Sequence, residues 1–345
     1  MMGNEIQKWA DVAMFEAEEI DVDSGPQVKL LSCNNDPLGT IAAAALMYEG
    51  KSVRSLAEIT DKQRRYYLEQ TAKTALAAPL EFVNFHFIIS GVTRGFTHQM
   101  VRQRTATYTQ ESTRFAVKED VPVGRPPSLD GTVPWKQWWD KCFKELYPNG
   151  YQGIDINRKQ SETTVYAERQ ATKQQLWRRE WDECVEEIDA TYNGLVSAGM
   201  PAEDARGLLP TNLLTRINYN TSLRGLQEHA GLRLCTQAQF EWRLVWAKIK
   251  EAIVEYGYDQ TYQCPSEPLD TADFDGTRSS AWQFEELSKI FKPICYYRGR
   301  CQFNADVDRA CKIKERVETF ATMNIPSSEW GREERVKMLG LPAIR

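Results

Sequence analysis

Residues 102–115 read Arg-Gln-Arg-Thr-Ala-Thr-Tyr-Thr-Gln-Glu-Ser-Thr-Arg-Phe, which places three arginines, the Gln110 carboxamide and the Ser112 hydroxyl within fourteen positions. Three guanidiniums so close together cannot all be buried without anionic partners, because a buried charge stripped of its partner costs roughly 3–5 kcal/mol. They either face water, bridged to Glu111 and Glu119 as a solvated basic surface, or they hold a ligand. Arginine forks grip phosphate oxygens two at a time and a serine hydroxyl adds a donor, so the chemistry this segment suits is recognition of a phosphate or another planar anion. A second arginine-bearing region lies downstream. Arg206 precedes Leu208-Leu209-Pro210; residues 222–233 read Ser-Leu-Arg-Gly-Leu-Gln-Glu-His-Ala-Gly-Leu-Arg; Ala238-Gln239-Phe240-Glu241 follows. Taken alone, that second region suits an amphipathic helix with exposed arginines.

These groups need elements to hold them. Asp36-Pro37 ahead of an apolar run, with Gly50 behind it, predicts a helix over 38–48 that Asp36 caps. A second helix is expected over 61–77, ended by Pro79. Val83, Phe85, Phe87 and Ile89 alternate with Asn84, His86 and Ser90, the period of a half-buried strand over 82–90. A turn over 91–95 and a helix over 96–103 would then set Gln99 and Arg102 three residues apart, at the end leading into the Ser112–Arg114 loop. Residues 116–165, rich in proline, glycine and tryptophan and without a clear period, read as an irregular insertion or lid. A long helix is expected over 168–198 with Leu176, Cys184, Ile188, Tyr192 and Leu195 on one stripe. A short helix over 201–209 and longer ones over 218–233 and 236–256 follow, and 258–345 reads as a polar tail.

The bulk properties narrow the field. The chain has 345 residues, 42% hydrophobic and 26% charged, the balance of a globular protein able to bury a sizeable core. A formal charge of −5 argues against a protein whose main task is neutralising a nucleic-acid polymer, so the basic clusters are expected to serve small anions. No run approaches about 18 uncharged apolar residues and residues 1–10 lack a basic stretch followed by an apolar one. No membrane association and a cytoplasmic location are therefore expected, with the eight cysteines reduced.

Other chemistries fare less well. None of His86, His98 and His229 neighbours a cysteine, which disfavours thiol nucleophilic catalysis, and neither a G-x-G-x-x-G nor a P-loop is present. Cys264, Cys295, Cys301 and Cys311 could be imagined as zinc ligands, but the last three are separated by five and nine residues rather than set in close pairs, so no metal is expected. Trp135, Trp138, Trp139 and Phe143 suit core packing or a subunit contact better than a stacking platform for folate.

The two arginine-bearing regions, in this order, resemble the flavin-dependent thymidylate synthase family over roughly residues 75–255. The family pattern is Arg-His-Arg, seven residues and Ser, then an arginine ahead of Leu-Pro, an Asn-x-Arg-Ser-Leu helix, and a Leu-Arg pair leading into Ala-Gln-x-Glu. The chain departs from it at Gln103 for histidine, at Thr109-Gln110 for Asn-Glu, and at Ser222 and Glu228 for asparagines.

The resemblance implies an α+β fold with a mixed sheet and packed helices over 1–257, interrupted by the insertion and followed by a carboxy-terminal extension over 258–345. It implies a homotetramer that converts dUMP to dTMP with methylenetetrahydrofolate and NADPH as co-substrates and FAD as electron carrier. By the same carry-over Gln99, Arg102, Gln110, Ser112, Arg114, Arg206 and Arg233 would contact the nucleotide, and Arg233 would act catalytically by favouring ionisation at the pyrimidine N3. Glu81, Arg102, Gln103, Arg104, Thr105, Thr109, Gln110, Ser222, Arg224, Glu228 and Leu232 would line the flavin. A pyrimidine-nucleotide hydroxymethylase using folate, and a catalytically silent nucleotide-binding relative, remain open alternatives.

Overall fold

The computed structural model describes residues 25–73, 77–114, 121–129, 133–150, 152, 155–235, 238–264 and 277–294. Its centre is a four-stranded sheet of β1 (Gln27–Cys33), β2 (Asn84–Thr93), β3 (Ala106–Gln110) and β4 (Leu214–Ser222), in the spatial order β1-β2-β4-β3. The class is α+β, as expected. Every pairing is antiparallel, however, where a mixed sheet was anticipated. Antiparallel neighbours do not need the crossover connection that parallel pairing requires.

The alternation in β2 does what the sequence pattern says: Val83, Phe85, Phe87 and Ile89 are fully buried. The strand does not stop at Gly91. That residue takes φ 67°, and the ladder shifts register between Ile89 and Val92 before pairing again at Val92 with Thr215 and Thr93 with Leu214. A Cβ at Gly91 would lie 2.9 Å from the Gly25 carbonyl oxygen, so the glycine serves a bulge and a close approach rather than the expected turn. Thr93 then caps helix α3 (Arg94–Met100) by accepting from the Phe96 N–H at 3.0 Å.

Helices α1 (Pro37–Leu46) and α2 (Asp61–Lys73) precede β2. Asp36 caps α1 as expected, accepting from the Gly39 N–H at 2.9 Å, and Gly50 closes the following turn at φ 69°. Residues 218–222, expected to be helical, belong to β4. Ile217, Tyr219 and Thr221 are buried on one face, a period of two, and the helix that follows, α8 (Leu223–Arg233), starts only after Ser222. Residues 116–165 are not irregular throughout. They supply helix α4 (Trp135–Leu146) and the start of helix α5 (Ile156–Gln170). The Trp138 and Trp139 indoles donate to Ala167 O and Thr164 Oγ1, so the tryptophans tie this helical hairpin together. The long helix begins later than expected: α6 (Lys173–Ser197) starts behind a capping box made by Thr172 and Gln175. Its buried positions are Gln175, Arg178 and Tyr192, while Cys184 is exposed. The short helix α7 (Ala202–Ala205) leads through a 3-10 turn to β4.

The main core lies between the sheet and helices α8 (Leu223–Arg233), α9 (Phe240–Tyr258) and α10 (Ala281–Lys289), where Phe87, Tyr219, Leu226, Trp242, Trp246 and Phe284 meet. Burying each such side chain is worth roughly 1.5–3 kcal/mol. Strands β5 (Thr261–Gln263) and β6 (Thr277–Ser279) form a separate two-stranded ribbon. The described part of the carboxy-terminal extension is thus packed into the body of the fold. A Cβ at Gly257 would sit 2.7 Å from the Phe284 side chain, and the Leu38 N–H donates to Gln283 Oε1 at 2.9 Å. Arg64, fully buried, donates to both oxygens of Asp36 at 3.0 and 2.5 Å and lies 4.6 Å from the Tyr262 ring centroid. Cys264 contacts this Arg64 through its sulfur. Cys295, Cys301 and Cys311 lie outside the described residues, among which no metal-binding group of side chains occurs. Among the described residues no helix is long and apolar enough to cross a membrane.

His229 on α8 is almost completely buried, edge-on to Trp242 at 4.7 Å, and neither ring nitrogen has a hydrogen-bond partner. Burial, followed by the charge of Arg233, pushes its pKa down to about 3. An unfolded histidine titrates near 6.5. Between these values the unfolded chain binds the extra proton, so stability present above about pH 6.5 is lost as pH falls toward 3. From pH 7 to pH 5 this residue should cost the fold on the order of 2 kcal/mol. Urea unfolding at both pH values should show His229→Phe losing correspondingly less stability than the wild type; identical losses would refute the assignment.

Candidate active site

Two cationic groups flank β3. The first forms where the last turn of α8 meets α3 and α9. The Arg233 guanidinium lies 4.8 Å from the Trp242 ring centroid, and its NH1 donates to Gln99 Oε1 at 3.4 Å. The Trp242 indole donates to the same oxygen at 3.1 Å, and Gln99 Nε2 donates to Gln239 Oε1 at 2.6 Å. Gln99 is thereby fixed from three sides. Arg233 Nε is enclosed without a partner, and burial, reinforced by the charge of Arg102, lowers the proton affinity of Arg233. Among the described residues neither Arg102 nor Arg233 forms an ion pair with a carboxylate. Two neighbouring guanidiniums without an acid between them make a place where negative charge is favoured.

The second group sits past the other end of β3. Arg114 holds Glu203 in a two-pronged contact, Nε to Oε1 at 2.8 Å and NH2 to Oε2 at 3.0 Å. Arg206 Nε donates to the Glu203 carbonyl at 3.0 Å, and Ser112 Oγ accepts from the Arg114 N–H at 3.2 Å. Sequence reasoning found Ser112, Arg114 and Arg206 and missed two residues beside them. One is Glu203, which organises both arginines. The other is Arg94, which donates through NH2 to the Glu111 carbonyl at 2.7 Å while its Nε is enclosed without a partner. Burial lowers the proton affinity of Arg94; Glu111 opposes this shift and Arg206 adds to it. The only signal for Arg94 was its place at the end of an alternating apolar run.

The residues expected around a flavin divide into three kinds. Arg224, on the first turn of α8, bridges Glu81 Oε1 at 2.6 Å and Glu228 Oε1 at 3.2 Å, an exposed triad whose charges a ligand could re-pair at little cost. Arg102, Arg104, Thr105, Thr109 and Leu232 present exposed side chains. Others face inward. Ser222 Oγ accepts from the Gly225 N–H at 3.3 Å and so caps α8. Gln103 Oε1 accepts from the Tyr219 hydroxyl at 2.9 Å while its Nε2 donates to the Gly225 carbonyl at 2.8 Å. Gln110 Nε2 donates to Thr97 Oγ1 at 2.9 Å. The Thr93 N–H and hydroxyl both donate to Glu241, at 2.6 and 2.7 Å, tying the start of α3 to α9; burial raises the Glu241 pKa against these two bonds.

Residues 29–256 match the sequence model of a family described as thymidylate synthase complementing protein. Flavin-dependent thymidylate synthase from Pyrococcus furiosus is 28% identical over 264 residues, covering 70% of this chain and 91% of that protein. The protein of the same description from Clostridium tetani is 27% identical over 221 residues, covering 64% of this chain and 78% of its own length. Among solved structures, thymidylate synthase X from Helicobacter pylori, crystallised with FAD and dUMP, aligns with 66% of this chain and 92% of its own at 15% identity and a TM-score of 0.42. The family match takes in β2, β3, β4 and both cationic groups, and on that extent the chain belongs to the thymidylate synthase complementing protein family.

Proposed function

We propose that this chain transfers a one-carbon unit to C5 of a pyrimidine deoxynucleotide, converting dUMP to dTMP with methylenetetrahydrofolate and NADPH as co-substrates, FAD as cofactor, and a homotetrameric assembly. The observation that carries the reading is Arg233: a guanidinium pressed against Trp242, its Nε enclosed and unpartnered, beside the second cation of Arg102. Family membership supports the reaction class, and relatives named as flavin-dependent enzymes support the cofactor.

The donor set suits a flavin dinucleotide. Exposed Arg102 and Arg104, with Arg224 at the start of α8, supply cations for a pyrophosphate, and Leu232 offers half-exposed apolar surface for a ring. The bound flavin would supply the redox step. This chain's own residues would do the rest. Ser112, Arg114 and Arg206, with Arg94 beside them, would hold the nucleotide phosphate. Arg233 would stabilise negative charge on the pyrimidine at N3, an electrostatic contribution commonly worth about 3–4 kcal/mol per preorganised donor. Gln99, already fixed by Trp242 and Gln239, would keep Arg233 from reorienting as that charge develops.

Three outcomes test the reading. Purified protein titrated with FAD should acquire a flavin absorbance band that changes on adding dUMP, and mass analysis should find dTMP; a hydroxymethylated product would point to the other family chemistry, and no flavin uptake to a silent nucleotide-binding protein. Arg114→Ala should weaken dUMP binding by about ten- to a hundredfold, or roughly 1.5–3 kcal/mol, with a smaller effect on FAD. Arg233→Lys should keep nucleotide binding but slow single turnover at saturating dUMP, and Arg233→Ala should remove most of it, because lysine keeps charge without the planar fork. Turnover of Arg233→Ala at the wild-type rate would reduce Arg233 to a binding residue.

A further inference from the structure

Gln103 and Gly225 are 122 positions apart and touch through one hydrogen bond, Gln103 Nε2 to the Gly225 carbonyl at 2.8 Å. Both ends are tightly surrounded. The other end of the Gln103 carboxamide accepts from Tyr219, a fully buried tyrosine stacked on Tyr108 and Phe87 with ring centroids 5.5 and 6.0 Å away. Gly225 is the third residue of α8, where glycine costs about 1 kcal/mol relative to alanine, so a packing reason is required for it. The reason is visible: a Cβ there would lie 2.5 Å from Thr221 Oγ1, 3.2 Å from Thr105 Oγ1 and 3.3 Å from Gln103 Nε2. Thr221 cannot simply swing away, because it is buried in β4 and its hydroxyl donates to the Thr105 carbonyl at 3.3 Å.

We infer that Gln103 is a positioning residue rather than a flavin ligand, and that it works with Gly225 as one contact setting the distance between the Arg102–Thr105 loop and the first turn of α8. This rests on the flavin reading above and deepens it, since Arg102 and Arg104 lie on one side of the contact and Arg224 on the other. A carboxamide at 103 and a missing Cβ at 225 are complementary. The amide accepts from Tyr219 and donates to the Gly225 carbonyl, the two bonds a neutral imidazole could also make, with a longer 3.4 Å bond from Nε2 to Thr105 Oγ1 beside them, and the glycine lets the α8 backbone come within reach of the donor. Without the contact, the loop and helix can separate, and the cations on either side no longer present one spacing to a rigid ligand.

The test uses four full-length proteins, wild type, Gln103→Leu, Gly225→Ala and the double variant, each measured for FAD affinity and for urea stability without FAD. Each single change should weaken FAD binding about tenfold, and the double variant should be no weaker than the worse single, because both break the same contact. Gln103→His, which can accept and donate at the same two points, should bind FAD within about threefold of wild type while Gln103→Leu does not, a rescue that loss of bulk packing alone would not produce. Losses that multiply in the double variant, either single binding FAD like wild type, or failure of the histidine rescue would overturn the inference. If Gly225→Ala does not fold, the leucine and histidine variants decide it alone. If the wild type itself takes up no FAD, the flavin reading fails, and non-additive urea stabilities in the same set then uphold or overturn the contact.

Discussion

The antiparallel register between β2 and β4 is the constraint on which the remaining geometry depends. Asn84 pairs with Ser222 at one end and Thr93 with Leu214 at the other. Each strand delivers a helix from its carboxy-terminal end, α3 after Thr93 and α8 after Ser222, so the two helices start at opposite ends of the same ladder. The chain after α3 must return to the α8 end before β3 can pair, which it does with Ala106 opposite Thr221. That return places the Arg102–Thr105 loop against the first turn of α8. β3 then climbs from Ala106 to Gln110 opposite Ile217, a rise of roughly 13 Å, and leaves Ser112 and Arg114 near Glu203 and Arg206. A one-residue slip between β2 and β4 would displace both cationic groups and turn Phe87 and Tyr219 away from the core.

Charge explains why those groups stay where the strands put them. Around Ser112 the cations are organised by Glu203, which engages Arg114 and Arg206 together. Around Arg233 no acid intervenes among the described residues, and the guanidinium is held by an indole face and a carboxamide oxygen instead. The difference is chemical. A carboxylate would neutralise the group that has to meet developing negative charge, whereas Trp242 and Gln99 orient it and leave its charge uncancelled.

Much of this was legible because it depends on local spacing. The alternation through Phe85, Phe87 and Ile89 marks a buried strand face, Asp36-Pro37 marks a helix start, and the arginines at 102, 114, 206 and 233 stand at positions whose residue types speak for themselves. What was missed depends on partners distant in sequence. Asn218 and Asn220 weaken a strand signal that β2 and β3 restore by pairing on both sides. Gly91 reads as a turn until the neighbouring Gly25 backbone shows why a bulge suits it. The tryptophan-rich region looks irregular because the α4 face is covered by α5 rather than by the main core. Arg94 and Glu203 carry no local mark; their importance comes from side chains that tertiary packing sets beside them.

The contacts between α1 and the last of the described segments bear on how the chain is made. The Leu38 N–H finds its acceptor 245 residues later at Gln283, and the Arg64 guanidinium takes the carbonyl of Gln263, 199 residues on. At synthesis rates of about 5–20 residues per second, α1 waits on the order of 10–50 s on the ribosome for the residues that complete its surroundings. During that interval the Arg64–Asp36 pair lacks the Tyr262 ring that covers it, and in wetter surroundings such a pair holds less firmly. The described fold therefore cannot be finished from its amino-terminal side forward; α1, the first helix among the described residues, is among the last of them to reach its final environment.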